Sequence, residues 1–193
     1  MARPRSEDKQ RAILEAATNV IASHGLVAPT TLIAKQAGVA EGTIFRYFPT
    51  KDDLLNAVFL HLKQRLRDAG ESVLSGATTE ERARSSWNGY VDWGIAHPEA
   101  SKTLNQLSVS DRITPETRAE VDALFPELRE FSQAGPDSPL KKCGDGFADV
   151  VFVALAEATM GFASRHPDRA EACKAAGFFM LWQGMSEAGD AGS

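Results

Sequence analysis

Cysteine is scarce in this chain, with only Cys143 and Cys173 among 193 residues and no CxxC spacing. That excludes a disulfide framework and a paired-thiol metal or redox site, and it predicts a reducing, cytoplasmic setting. Long apolar runs are missing too. The most apolar stretch, residues 147–163, still carries Asp149 and Glu157. It is expected to be too short and too polar for a membrane span, and to form a buried helix instead. The basic residues near the start, Arg3 and Arg5, are followed by no apolar segment, so no secretory signal is expected and no membrane partner. Period-2 alternation between hairpin turns occurs nowhere, which excludes a sheet protein.

Catalytic patterns are equally thin. His24, His61, His97 and His166 form neither HxxxH nor HExxH; all lie near expected helix ends or on polar faces, where an imidazole can meet a terminal carbonyl. Asp145 and Asp149 are four apart, but at a helix start they complement the dipole, and no third ligand has a fitting spacing. No phosphate-binding loop, dinucleotide glycine pattern or nucleophile elbow is present. No enzyme, no metal and no cofactor are therefore expected.

What the chain does have is apolar content, 43% of residues, enough for a packed core. Its charge is segregated. Residues 1–51 hold seven Lys and Arg against four Asp and Glu, a net of +3; residues 52–193 hold fourteen against twenty-two, a net of -8. An acidic average of -5 thus conceals a basic end.

Helical periodicity runs almost throughout, so the chain reads as all-α with about nine helices. The first is expected from Ser6, with Glu7 and Asp8 in its first turn and Ile13, Ala17, Val20 and Ile21 on one stripe, ending at Gly25. Thr30 or Thr31 would cap a short second helix, Leu32 to Ala37, stopped by Gly38; a third runs from Glu41 to Phe48 before Pro49. Thr50 and Asp53 make a capping-box-like start for a long fourth helix reaching about Leu74. A fifth runs from about Glu80 to His97, and a short sixth spans Glu99 to Ser108. Thr114-Pro115-Glu116 opens a seventh running through Phe125, Leu128 and Phe131 with a kink at Pro126. Residues 132–144 read as a loop, Asp145 to Arg165 and Asp168 to Glu187 as the last helix pair, and the tail from Ala188 as disordered.

The most specific pattern lies in residues 32–48. Ala34, then Gly38 four residues on, then Ile44 six further, places a small residue where two helices cross, a glycine in the turn, and an apolar side chain that pins the second helix. These are helix-turn-helix requirements. Exposed Thr43, Arg46 and Tyr47 on the following short helix, with Lys51 at the next helix start, offer donors to phosphates and base edges. Ile44 and Phe48 read as core.

The run Thr31, Ile33-Ala34, Ala37-Gly38-Val39, Gly42-Thr43-Ile44-Phe45, Tyr47-Phe48, Lys51 and Leu54-Leu55 resembles the TetR family of bacterial transcriptional regulators over residues 9–60. It departs in one place: Gly25 to Ile33 is about one residue shorter than in many relatives. The resemblance implies a helix-turn-helix DNA-binding domain over residues 1–50 and a ligand-binding and dimerisation domain over 51–193. It implies that Gly42 and Thr43 approach bases, that Phe45 and Arg46 enter the major groove, and that Thr31, Tyr47 and Lys51 hold phosphates. Arg3, Arg5 and Lys9 would add an arm. The partners it implies are a double-stranded DNA operator, a small-molecule effector and a second copy of the chain.

The last two helices are apolar on more than one face, and Val151, Ala154, Ala158, Phe178, Phe179 and Trp182 are the expected dimer contacts. Trp87, Tyr90, Trp93, Leu107, Phe125 and Phe152 are the candidate ligand-pocket residues, though each also suits an ordinary core. For Asp92 and Glu157, surface solvation or an ion pair is the simpler reading. The expected function is a repressor released from a palindromic operator by a hydrophobic ligand. The alternatives are an activator of the same fold, or an all-α carrier or enzyme whose helix-turn-helix is only structural.

Overall fold

The protein is described by a computed structural model, which places residues 3–70, 78–126, 139–144 and 147–185. Among the described residues all regular structure is helical: α1 (Arg3–His24), α2 (Thr30–Ala37), α3 (Glu41–Tyr47), α4 (Lys51–Gly70), α5 (Thr79–Ala96), α6 (Pro98–Ser108), α7 (Pro115–Leu124), α8 (Pro139–Lys142), α9 (Phe147–Arg165), a 3-10 turn (Pro167–Arg169) and α10 (Ala170–Met185). The chain forms two compact units, Met1–Arg65 with Pro98–Val121, and Leu66–His97 with Asp122–Ser193. These units do not follow a linear division at residue 50, because α6 returns to pack on α1.

In the first unit, Ile13 and Ile21 of α1, Ile33 of α2, Ile44 of α3, Leu54, Leu55 and Leu62 of α4, and Leu104 and Leu107 of α6 are almost completely buried. Each such side chain contributes about 1.5–3 kcal/mol of transfer free energy. The α1–α6 contact has a polar seam as well, where the Thr103 hydroxyl donates to the Thr18 carbonyl at 2.7 Å, deep in the core. Helix starts are sealed by side chains. Asp53 N–H donates to Thr50 Oγ1 at 3.1 Å and Thr50 N–H to Asp53 Oδ2 at 2.9 Å, the reciprocal pair expected at the head of α4. Thr117 N–H donates to Thr114 Oγ1 at 3.2 Å at the head of α7.

In the second unit α5, α9 and α10 pack together. The Trp87 indole N–H donates to the Lys174 carbonyl at 2.9 Å, and the Lys174 ammonium, itself buried, reaches Asp92 at 2.9 Å and Glu171 at 2.7 Å. Burial alone would push this ammonium down; its hydrogen bonds to Glu171 and Asp92 outweigh that and hold it above the ordinary lysine value. The ion-pair reading of Asp92 therefore holds.

Several boundaries differ from the sequence expectation. α1 begins at Arg3, so Glu7 and Asp8 lie beyond its first turn, and Asp8 pairs with Arg11 at 2.8 Å. Arg3, Arg5 and Lys9 are part of that helix. α2 starts at Thr30 with Pro29, not a threonine, in the cap position. α7 ends at Leu124, since Phe125 precedes a proline and is biased out of the helical region, and the expected continuation beyond Pro126 lies outside the described residues. A one-turn helix, α8, interrupts the expected 132–144 loop, and the last helix starts at Ala170 after the 3-10 turn. Residues 71–77, Leu128, Phe131, the loop to 138, Asp145, Glu187 and the tail lie outside the described residues.

The packing of α10 leaves no room at one position. A methyl group on Gly177 would stand 2.6 Å from both Thr159 Oγ1 and Trp87 Cζ2, and neither buried group is free to swing away. Gly177→Ala is expected to destabilise the chain by about 1–3 kcal/mol through overpacking. A lowered urea midpoint with an unchanged m-value would show it.

Candidate nucleic-acid interface

The geometry of the α2–α3 turn follows from Gly38. It adopts φ 67 and ψ 32, a left-handed conformation that costs an ordinary residue about 1–2 kcal/mol. The turn lets Val39 N–H donate to the Ala34 carbonyl at 3.0 Å, closing α2 with a Schellman-type bond. Ala34 is buried at the crossing, and Ile44 pins α3 from the other side. The small crossing residue, the turn glycine and the apolar pin thus occupy the places their spacing predicts.

With Ile44 inward, the 100° helical step turns Gly42 and Arg46 directly outward, with Phe45 on one flank and Thr43 on the other. Gly42, Phe45 and Arg46 are exposed; Thr43 and Tyr47 are half-buried. The Arg46 guanidinium lies 5.9 Å from the Tyr47 ring centre, leaning to the side away from Phe45. Thr31 is exposed on α2, while its neighbour Thr30 donates its hydroxyl to Glu41 at 2.5 Å, tying the starts of α2 and α3 together.

Lys51 has a role its position in the sequence does not reveal. Its ammonium donates to the Ala28 carbonyl at 2.7 Å, fixing the α1–α2 connection to the head of α4. Burial pushes this ammonium below the ordinary lysine value, with the Arg112 charge adding to the effect and Asp52 opposing it. Arg112 Nε in turn pairs with Asp52 at 2.9 Å. Asn56, one turn along α4, donates to the Arg112 carbonyl at 3.0 Å and accepts from Thr114 N–H at 2.9 Å. The α6–α7 connection is thereby hydrogen-bonded to α4, a juxtaposition no local pattern signals. His61 and Arg65, further along α4, both reach Glu15 of α1 at 3.2 Å.

The candidate pocket residues divide between the units. Trp87, Tyr90 and Phe152 come together in the second, with the Phe152 ring 5.7 Å from Trp87 and 5.0 Å from Tyr90. Burial, and then the nearby Glu157 charge, raise the Tyr90 phenol far above its ordinary value, so it stays neutral. Trp93 is buried and stacks on His97; Phe125 lies under the Arg67 guanidinium. Leu107 does not join them, since it is fully buried in the first unit. Among the described residues no group of three His, Cys, Asp or Glu side chains is arranged to hold a metal ion.

The expected dimer residues divide as well. Phe178 is 2% exposed, covered by the Arg84 guanidinium and by Trp182, whereas its neighbour Phe179 is 62% exposed. Phe178 is therefore core and unavailable to a partner, and half-buried Trp182 stacks on it. Val151 is half-buried, and Ala154 and Ala158 are exposed. Nor is α9 the buried helix its composition suggests: only Ala156, Thr159, Met160 and Ala163 are inside. By length and composition alone it is apolar enough to cross a membrane.

The two exposed glycines of the helix-turn-helix should respond oppositely to alanine. Gly38→Ala is expected to cost about 1–2 kcal/mol through its left-handed backbone. Gly42→Ala, where a methyl group meets nothing within 4 Å, is expected to stabilise α3 by up to about 1 kcal/mol. Thermal unfolding of both variants checks the pair of signs.

The family described as bacterial regulatory proteins of the tetR family matches residues 13–58. The chain is 40% identical over 76 residues to the fatty acid metabolism regulator protein of Bacillus subtilis, a match covering 38% of this chain and 39% of that protein. The chain thus spans less than two fifths of that relative's length. A putative tetR family transcription regulator from Shewanella sp. PV-4 is similar over nearly the whole chain, with a TM-score of 0.70, 26% identity, and 90% and 96% of the two chains covered. LfrR of Mycobacterium smegmatis, solved in complex with proflavine, gives a TM-score of 0.56 at 26% identity over 92% and 96%. The matched segment contains α2, α3 and the Gly38 turn. Residues 13–58 thus match the helix-turn-helix segment of the tetR family of bacterial regulatory proteins, and the chain as a whole is similar in fold to solved transcription regulators of that family.

Proposed function

We propose that this chain is a homodimeric repressor that holds a palindromic operator and releases it when a hydrophobic small molecule binds. A regulator of this family works in the cytoplasm. The observation that carries the DNA half of the reading is the outward face of α3. Gly42 stands at its centre although nothing among the described residues requires a glycine there. A glycine inside a helix costs about 1 kcal/mol against alanine, and close approach to a surface outside the chain accounts for it. Arg46, one turn on, supplies a bidentate donor for a base edge. Thr31, Tyr47 and the remaining protons of Lys51 would serve phosphates, and each charge set on a phosphate releases counterions.

The dimer half rests on the second unit. Phe147, Val150, Ala154, Ala158 and Phe162 fall on one stripe of α9 and are exposed, as are Phe179 and Met180 of α10. An apolar surface of this extent calls for a covering partner, and a two-fold protein is what a palindromic operator matches. The effector half rests on the aromatic trio Trp87, Tyr90 and Phe152, beside which Asp92 is paired with Lys174 and Glu157 lies close to Tyr90. Such a wall suits an apolar or aromatic small molecule, and the similar LfrR was solved in complex with one small molecule, proflavine.

Arg46→Ala is expected to weaken operator binding by about 1–3 kcal/mol and relax sequence preference, while Gly42→Ala weakens it despite raising stability. Lys51→Ala should flatten the salt dependence by about one unit. Fluorescence anisotropy with DNA selected by the wild-type protein, across a salt series, measures all three. Undiminished binding in every variant would remove α3 from the interface.

Phe179→Glu and Phe178→Glu separate the interface from the core. The first should leave the subunit folded and shift it from dimer to monomer in sedimentation, because a carboxylate in a closed apolar interface costs several kcal/mol. The second should unfold the second unit. A Phe179→Glu chain that remains dimeric would place the interface elsewhere.

A further inference from the structure

We infer that Phe45 reads the 5-methyl group of a thymine in the major groove, within about two base pairs of a guanine held by Arg46. The inference rests on the proposed entry of α3 into that groove, and goes beyond it by assigning bases to two side chains.

The two flanks of the outward face differ in chemistry. On the Thr43 side stand hydroxyl groups and the Arg46 guanidinium, which leans on Tyr47. The opposite flank presents Phe45, 41% exposed, and the adjacent carboxylate of Glu41 is bonded to Thr30 of α2. This flank therefore offers an apolar ring beside the gap left by Gly42.

A phenyl ring can neither donate to phosphates nor pair with base-edge donors and acceptors. The apolar group that a base pair displays in the major groove is the thymine methyl, and contact with it is how an aromatic side chain contributes sequence information there. Leaving part of a phenylalanine in water forfeits part of the free energy that full burial would contribute. A thymine methyl recovers part of that on binding. Arg46, at the centre of the same face, fits the O6 and N7 acceptors of guanine in a fork that lysine cannot reproduce. Residues 45 and 46 are adjacent on one helix turn, so the bases they meet are neighbours or next neighbours along the duplex.

The test uses the full chain and a duplex selected by it from random sequence. Each thymine is replaced in turn by deoxyuridine, which removes the methyl group and leaves base pairing intact. One thymine per half-site, near a conserved guanine of the selected duplex, should then lower affinity about fourfold, the factor that corresponds to about 0.8 kcal/mol for one buried carbon. In Phe45→Ala, uracil and thymine at that position should bind alike; in Phe45→Leu, which keeps an apolar contact, part of the discrimination should survive. Circular dichroism and thermal unfolding establish that both variants are folded. Sequence-selective binding with no uracil-sensitive thymine overturns the inference and leaves the DNA-binding reading standing. Sensitivity that persists undiminished in Phe45→Ala assigns the methyl to another residue and also overturns it. Failure of the wild-type chain to select any sequence takes both readings down.

Discussion

The first two turns of α4 are the point on which the first unit depends. Three separate backbone segments are fastened there by side chains of one helix. Lys51 holds the Ala28 carbonyl before α2, Asp53 and Thr50 seal the helix start after α3, and Asn56 takes both a carbonyl and an amide from the α6–α7 connection. A hydrogen bond of this kind contributes only about 0.5–1.5 kcal/mol net, so none of these ties is strong alone. Their value is geometric. The amide of Asn56 grips two backbone groups two residues apart, which fixes the direction of approach of that connection as well as its distance. The proposed release by an effector would need a rigid element with more than one arrangement whose balance a ligand can bias. The head of α4 is where motion of α6 and α7 would have to be either transmitted to α2 or absorbed.

Packing in the second unit obeys a different constraint, the closeness of α10 to α5 and α9. Gly177 permits it sterically, and the Trp87 indole, bonded to the Lys174 carbonyl, orients it. Because that same lysine sends its ammonium to Asp92 on α5, one residue ties α10 to α5 through both backbone and side chain. Once these inner faces are consumed, the apolar residues left over on α9 and α10 must lie outside. The exposed stripe from Phe147 to Phe162 is the geometric remainder of a core that closes through Ala156, Thr159, Met160 and Ala163.

The helix-turn-helix was legible because each of its requirements is local. Ala34, Gly38 and Ile44 lie within eleven residues, and each answers a distinct demand of sterics, backbone sign or pinning. The caps at Thr50 and Thr114 were readable for the same reason. Where the sequence misled, the deciding contact was nonlocal. Leu107 has the composition of a pocket residue, yet α6 folds back on α1, a choice made by tertiary packing that no short window records. Phe178 and Phe179 are adjacent and chemically identical, and α10 is apolar on nearly every side, so periodicity carries no phase to say which ring is inside. The grip of Asn56 on residues 112 and 114 was invisible, because an asparagine gives no sign of which distant backbone it will satisfy.

Charge segregation connects these levels. A chain of net charge -5 approaches a polyanion only if its repulsion is kept away from the contact, and the +3 of the first 51 residues achieves that only when its acids are restrained. Glu41 is bonded to Thr30, Glu15 is paired with His61 and Arg65, and Asp8 is paired with Arg11. Asp52, just past that segment, is paired with Arg112, a cation contributed from far along the chain. Acids of the basic end and of the α4 head are thus engaged by nearby donors and cations, and two of them, Glu15 and Asp52, by residues that also fasten α4 to its neighbours. A substitution that breaks one of these pairs changes position and electrostatics together, which is why reversing the charge of Arg112 should disturb DNA binding more than a change of equal charge at an unpaired surface site.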